Sequence, residues 1–193
     1  MTGVMVLDAA ALLPEHVRAL RRVEYERMVD LGLFGEEHLE LLRGSLVEMS
    51  PQGPSHADIT ARLARQLTLA LGERALVRTH SALALTDESE PEPDVAIVPP
   101  GNYSREHPRT ALLVVEVSDS SVRKDRGIKA ELYASAGIAE YWLVNLIDRV
   151  VEVHRAPVAG RYADVAAHRA GARVGSVAFP DIQVHVGDLF GVE

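Results

Sequence analysis

The chain contains no cysteine in its 193 residues, which excludes disulfides, thiolate zinc sites and cysteine nucleophiles and agrees with a reducing compartment. Any bound metal must therefore rest on oxygen or on histidine nitrogen. Lysine is almost as scarce. Of 20 basic residues only Lys124 and Lys129 are lysines; the rest are arginines. No apolar run approaches the 18 residues of a membrane helix, and the start "MTGVMVLDAAALLPEHVRAL" lacks the basic opening, apolar core and cleavage site of a signal peptide. The expectation is a cytoplasmic protein with no membrane contact. A net positive charge is also missing: at −8 the chain is unsuited to coating nucleic acid nonspecifically, because such binding runs on phosphate neutralisation. That charge is compatible with a nuclease, whose carboxylates carry divalent cations to a phosphodiester.

What is present, 47% hydrophobic and 25% charged residues, suits one domain over 1–193 with a sizeable core. No repeat, low-complexity segment or linker divides it. We read an N-terminal helix and hairpin over 14–50, a core over about 55–147 and a β-rich tail over 148–193. "HVRALRRVEYERMVDL" (16–31) predicts an amphipathic helix with Val17, Leu20, Val23, Met28 and Leu31 inward. "LELLRGSLVEMS" reads as strand, Arg-Gly turn, strand, with Leu39 and Leu41 on one face and Glu40 and Leu42 on the other. Ser55 is placed to cap the next helix with Asp58 as its partner, and Ile59, Leu63, Leu67 and Leu71 form its buried stripe as far as Gly72.

Strands follow at "ALVRTHSALAL" (75–85), "DVAIVPP" (94–100) and "ALLVVEVS" (111–118). The last is apolar on both faces and belongs at the sheet centre. "SSVRKDRGIKAELYASAG" (120–137) predicts a helix with Ile128, Leu132 and Ala136 inward; "EYWLVN" is a strand, and 149–190 holds two or three more in hairpins. This order specifies an α+β (mixed α/β) fold, a central mixed sheet flanked by helices with extra β-hairpins.

Glu116 stands in the most apolar strand. A buried carboxylate needs a compensating partner. If "DVAIV" and "LLVVEV" are neighbours, Asp94 and Glu116 converge at one sheet edge, and two converged carboxylates call for a cation. A hard divalent ion, Mg²⁺ or Mn²⁺, suits oxygen ligands. Lys129, on the following helix with Tyr133 one turn on, is placed to bring an ammonium to the same point, where it could orient a water and offset charge on phosphorus. From the residues alone a structural Glu116–Lys129 ion pair stands equally open. Asp125 is read as a helix cap or an arginine partner; Tyr133, Tyr141 and Trp142 as core aromatics.

Pro93-Asp94, Glu116-Val117-Ser118 and "DRGIKAELYASAGIAEYWLV", with "EYERMVDLGLFGEEHLELLRGSLVEMSPQGPSHADI" upstream, resemble the Uma-type restriction endonucleases, a branch of the PD-(D/E)XK nuclease superfamily. The resemblance implies a restriction-endonuclease-like core and a metal-dependent phosphodiester hydrolase acting on DNA, with RNA left open. It implies that Asp94 and Glu116 bind Mg²⁺ or Mn²⁺ together with the Val117 carbonyl. Lys129 would replace the lysine usually found two residues after the acid, where this chain has Ser118. Glu40 is implied as a further acid and His56 as a polar neighbour. Arg43 stands where the family more often has an acidic residue in the hairpin turn. A homodimer is expected, since two related sites cut two strands and the tail offers apolar strands beyond the core's needs. The competing reading is a noncatalytic nucleic-acid-binding or assembly protein on a nuclease-derived fold.

Overall fold

The computed structural model describes residues 18–191. Its centre is a six-stranded sheet in the order β3-β4-β5-β6-β7-β8, comprising β3 (Leu76–Thr79), β4 (Val95–Val98), β5 (Leu113–Ser118), β6 (Glu140–Asn145), β7 (Val150–Val158) and β8 (Arg161–His168). Only β5 and β6 run parallel; every other neighbouring pair is antiparallel. The fold is therefore the mixed α+β arrangement that the element order specifies. The first hairpin of the tail extends the central sheet. β9 (Arg173–Gly175) and β10 (Gln183–His185) form a separate two-stranded ribbon, as do β1 (Leu39–Leu42) and β2 (Ser45–Glu48).

β4, β5 and β6 are buried along their whole length because both faces of the sheet are covered. On one face α2 (Pro54–Leu71) lays Ile59, Leu63, Leu67 and Leu71 over Val95, Ile97, Val115 and Val117. The predicted stripe is the buried one, and each such leucine contributes about 1.5–3 kcal/mol by leaving water. On the other face Val114, Tyr141 and Leu143 pack against Ala130 and Tyr133. These belong to the connection from β5 to β6, where α3 (Val122–Lys124) passes through a π-helical turn (Asp125–Lys129) into α4 (Ala130–Ser135). A short α5 (Val186–Leu189) ends the described chain.

Several local expectations are corrected. Helix α1 spans only Arg22–Asp30, so the predicted helix is shorter at both ends, and positions 16 and 17 lie outside the described residues. Its seated residue is Tyr25, whose hydroxyl donates to the Leu39 carbonyl at 2.7 Å, while Val23 is 65% exposed. One aromatic anchor, rather than an apolar stripe, holds this helix. Gly53, not Ser55, occupies the cap position of α2, because Pro54 with its fixed φ and missing N–H takes the first helical place; Asp58 pairs instead with Arg62. β3 stops at Thr79, where His80 turns to φ 45°. Ile128 is 46% exposed, because the π turn changes the helical period and faces Asp125 and Lys129 inward in its place. Asp125 accepts hydrogen bonds from the Ser118 and Ser121 hydroxyls rather than capping a helix or pairing with arginine.

The β1–β2 hairpin is seated by its turn. Arg43 and Gly44 both take positive φ, as a two-residue hairpin turn requires. Gly44 accepts from the Leu20 amide at 3.0 Å and donates to the Glu88 carbonyl at 2.7 Å. A Cβ at position 44 would run into Ala19. Gly44→Ala therefore combines left-handed strain with a backbone collision. It should lower stability by about 2 kcal/mol, read as the shift of the urea midpoint at unchanged slope.

Candidate active site

Three segments far apart in sequence meet where β4 begins and β5 ends. The β4–β5 register pairs Val95 with Val115 and Ala96 with Val114, so Asp94, immediately before β4, stands opposite Glu116. Its Oδ2 accepts the Val117 amide at 2.7 Å and lies 3.1 Å from His56 Nε2. Gln52 Nε2 donates to Oδ1 at 3.4 Å. The third segment is β1. Its Leu41 bridges to Glu90 in the acidic loop, which fixes the hairpin beside β4 and turns Glu40 inward with no exposed surface. β1 is thus covered on both faces, which is how a charged residue in it becomes buried.

Lys129 joins these segments. Its Nζ lies 2.9 Å from Glu116 Oε1 and 3.0 Å from Glu40 Oε2. Lys124 Nζ meets the other Glu40 oxygen, Oε1, at 2.9 Å, so both lysines of the chain end on one carboxylate. The Glu92 amide adds a hydrogen bond to Glu40 Oε2 at 3.3 Å. Tyr133 donates its hydroxyl to Glu116 Oε1 at 2.5 Å. Both hydrogen bonds to Glu116 land on Oε1. Oε2 is left to face a cavity of about 80 Å³ whose lining includes Glu40, His56, Asp94, Glu116, Val117 and Lys129.

Charge is unevenly settled here. Burial pushes the Glu116 carboxyl up to about 8, against the pull of Lys129 and with the help of the Asp125, Asp94 and Glu40 carboxylates. Burial also works against the Lys129 ammonium, but Glu116 and Glu40 outweigh it and raise Lys129 above its ordinary value. The two directions are compatible because Glu40, whose burial is overcome by Lys129 and Lys124, is held below the usual carboxylate range. Ionised Glu40 thus helps keep Lys129 charged beside a Glu116 carboxyl that burial makes slower than usual to give up its proton. Burial opposes the His56 imidazolium, yet the adjacent Asp94 carboxylate raises it.

A second buried carboxylate shows what a purely structural one looks like. Glu140 receives Trp142 Nε1 at 3.0 Å and Arg155 at 2.6 and 2.9 Å on Oε1, and the Val177 amide at 2.8 Å on Oε2. Both its oxygens are satisfied from within. Glu116 keeps one oxygen toward a polar cavity. Among the described residues no three His, Asp or Glu side chains form a ready-made metal cage. Of the oxygen groups lining this cavity, Asp94 and Glu116 with the adjoining Val117 backbone fit a hard ion that retains several waters.

The candidate site residues Glu40, His56, Asp94, Glu116, Val117 and Lys129 all line this one cavity. Sequence reasoning gives no site role to Lys124, Gln52 or Glu92, and it reads Tyr133 as a core aromatic where the structure has it donating to Glu116. The scarcity of lysine was the available signal for Lys124. Tyr133, four residues after Lys129, is one turn along the helix, while Gln52 and Glu92 lie in loops that carry no periodicity.

Three comparisons bear on this arrangement. A family model described as "Uma2: Putative restriction endonuclease" matches residues 22–187. The crystal structure of a putative nuclease belonging to DUF820 from Anabaena variabilis superposes with a TM-score of 0.66 at 17% identity, covering 81% of this chain and 91% of that one. At that identity the likeness concerns the fold. No curated protein matches. Among the described residues no helix is long and apolar enough to cross a membrane.

The raised Glu116 carboxyl has a defined pH signature. A buried acid that holds its proton up to about 8, against 4.5 when unfolded, stabilises the fold below about 4.5 and loses that contribution as pH rises toward 8. In EDTA the melting temperature should therefore fall between pH 5 and 8. Glu90, likewise pushed up to about 8 by burial and Glu26, contributes a parallel fall. The difference between wild type and Glu116→Gln isolates Glu116: the variant should melt closer to wild type at pH 5 and above it at pH 8.

Proposed function

The chain belongs to the Uma2 family, and we propose on that premise that its acid cavity is the active site of a metal-dependent phosphodiesterase of PD-(D/E)XK type acting on DNA. One observation carries the reading. Asp94, just before β4, stands opposite Glu116 of the neighbouring β5 while the Lys129 ammonium is held between Glu116 and Glu40, all at one cavity.

Asp94, Glu116 and the Val117 carbonyl would hold Mg²⁺ or Mn²⁺, which when bound supplies neutralisation of charge at the phosphodiester. The rest falls to the chain's own groups. Asp94 is fixed by the Val117 amide and His56, so its orientation does not depend on the ion. Glu116 must release its proton to act as a ligand, and Lys129 remains beside it to balance the resulting charge. Glu40 sets the position of Lys129 from the opposite side. The ammonium is then placed to orient an attacking water and to offset the charge growing on the phosphoryl oxygens. A compact ammonium suits this role, where a guanidinium fork would span both carboxylates.

The test is cleavage of plasmid DNA with Mg²⁺ or Mn²⁺, with RNA of similar length assayed beside it. Wild type should nick the plasmid only with metal, and Asp94→Asn, Glu116→Gln and Lys129→Met should each be slower by at least about 100-fold. Metal-dependent cleavage that is equal in Glu116→Gln, or none by wild type, contradicts the reading. A homodimer in light scattering accompanies the proposal. Melting distinguishes the site from scaffold: Asp94→Asn should keep wild-type stability in EDTA while losing the rise that Mg²⁺ produces. Loss of about 3–5 kcal/mol in either condition, the mark of a broken buried pair, would instead make the cluster structural.

A further inference from the structure

The role of Lys124 is open once the reacting centre is assigned. Five residues of ordinary α-helix separate two side chains by about 140°, which would turn Lys124 and Lys129 to different sides. Here they are separated by the π-helical turn Asp125–Lys129, in which the Ala130 amide reaches back five residues to the Asp125 carbonyl. The wider turn rotates less per residue and so brings positions five apart closer to one face than an α-helix does. Both ammonium groups therefore reach Glu40, one on each oxygen.

The two are not equivalent. Lys129 is 4% exposed and divides its donors between Glu116 and Glu40, whereas the Lys124 side chain, also lining the cavity, is 26% exposed. Among the described residues the partner of Lys124 is Glu40 alone. An ammonium has three donors, so Lys124 can hold Glu40 and still direct two N–H groups outward. The lining of the same cavity includes Glu40, Glu92, Asp94, Glu116, Asp119 and Asp125, an acid surface that repels a polyanion unless a cation stands at its entrance.

Resting on the nuclease reading, we propose that Lys124 is a phosphate-binding residue of the site, held by Glu40 so that it receives a backbone phosphate of the nucleic acid as the neighbouring one reaches Lys129. Glu40 thereby positions both ammonium groups, one toward the reaction and one toward the substrate. The π turn is the feature of the chain that makes this shared anchorage possible.

The experiment is the affinity of the whole protein for a short DNA duplex as a function of KCl, with Ca²⁺ in place of Mg²⁺ so that binding is read apart from cleavage, for wild type, Lys124→Gln and Lys124→Arg. One lost phosphate contact lowers the slope of log K against log[salt] by about 0.9. Lys124→Gln should show that reduction, and Lys124→Arg should retain the wild-type slope. In cleavage, Lys124→Gln should raise KM more than it lowers kcat. A Lys124→Gln protein that melts lower but keeps the wild-type slope would make Lys124 only a neutraliser of Glu40 and overturn the proposal while leaving the nuclease reading intact. Absence of duplex binding by wild type at every salt concentration would overturn both.

Discussion

A single ammonium group, Lys129 Nζ, lies within 3.0 Å of carboxylates on Glu40 and Glu116, and the arrangement of hairpin, sheet and helix around it follows from what it costs to keep such a group out of water. Removing two carboxylates and an ammonium from solvent carries a penalty of several kcal/mol per ion, and hydrophobic residues of the same volume often stabilise equally well or better. Such a cluster is poor value as mere glue. Glu140 shows how the same fold treats a carboxylate used structurally: every oxygen is met by arginine, indole or amide. Around Glu116 the donors converge on one oxygen and the other faces a polar cavity.

The apolar scaffold explains how the cluster stays assembled. Val115 and Val117 point to the α2 side, and Val114 points to the α4 side, so β5 is gripped on both faces by well-packed layers. Glu116 sits among these valines near the strand's end. Pairing with β4 on one side and β6 on the other leaves the backbone little freedom to shift under carboxylate repulsion. Sites built on strands held in this way keep their geometry more closely than sites built on loops. Asp94, by contrast, precedes its strand and needs the Val117 amide and His56 to hold it.

How much of this could be read from the chain depended on whether one element decided the matter. β5 and α2 were legible because a two-sided apolar run and a four-residue leucine spacing each leave one solution. The convergence of Asp94 and Glu116 followed from the conditional pairing of two strands. At the start of α2 Ser55 offers a good capping side chain, but Pro54 fits the first helical position and moves the cap to Gly53. The π turn leaves no periodic trace: the α-helical period would turn Ile128 inward, yet Ile128 is exposed and Lys129 faces the core. Glu40 was named through family resemblance alone, because its burial is created by the acidic loop that packs on β1, a tertiary contact that strand alternation does not encode. Lys124 carried a signal in its rarity, but its meaning needed the backbone to bring it beside Lys129.

The central claim is that Glu116 holds a proton which a divalent ion replaces. Calorimetric titration with Mn²⁺ near pH 7, in two buffers of different ionisation enthalpy, measures metal affinity and proton release together. The account predicts saturable binding that releases up to one proton per ion, with both the affinity and the release strongly reduced in Glu116→Gln. Mn²⁺ binding of equal strength and equal proton release in wild type and Glu116→Gln, or no binding to wild type, would contradict it.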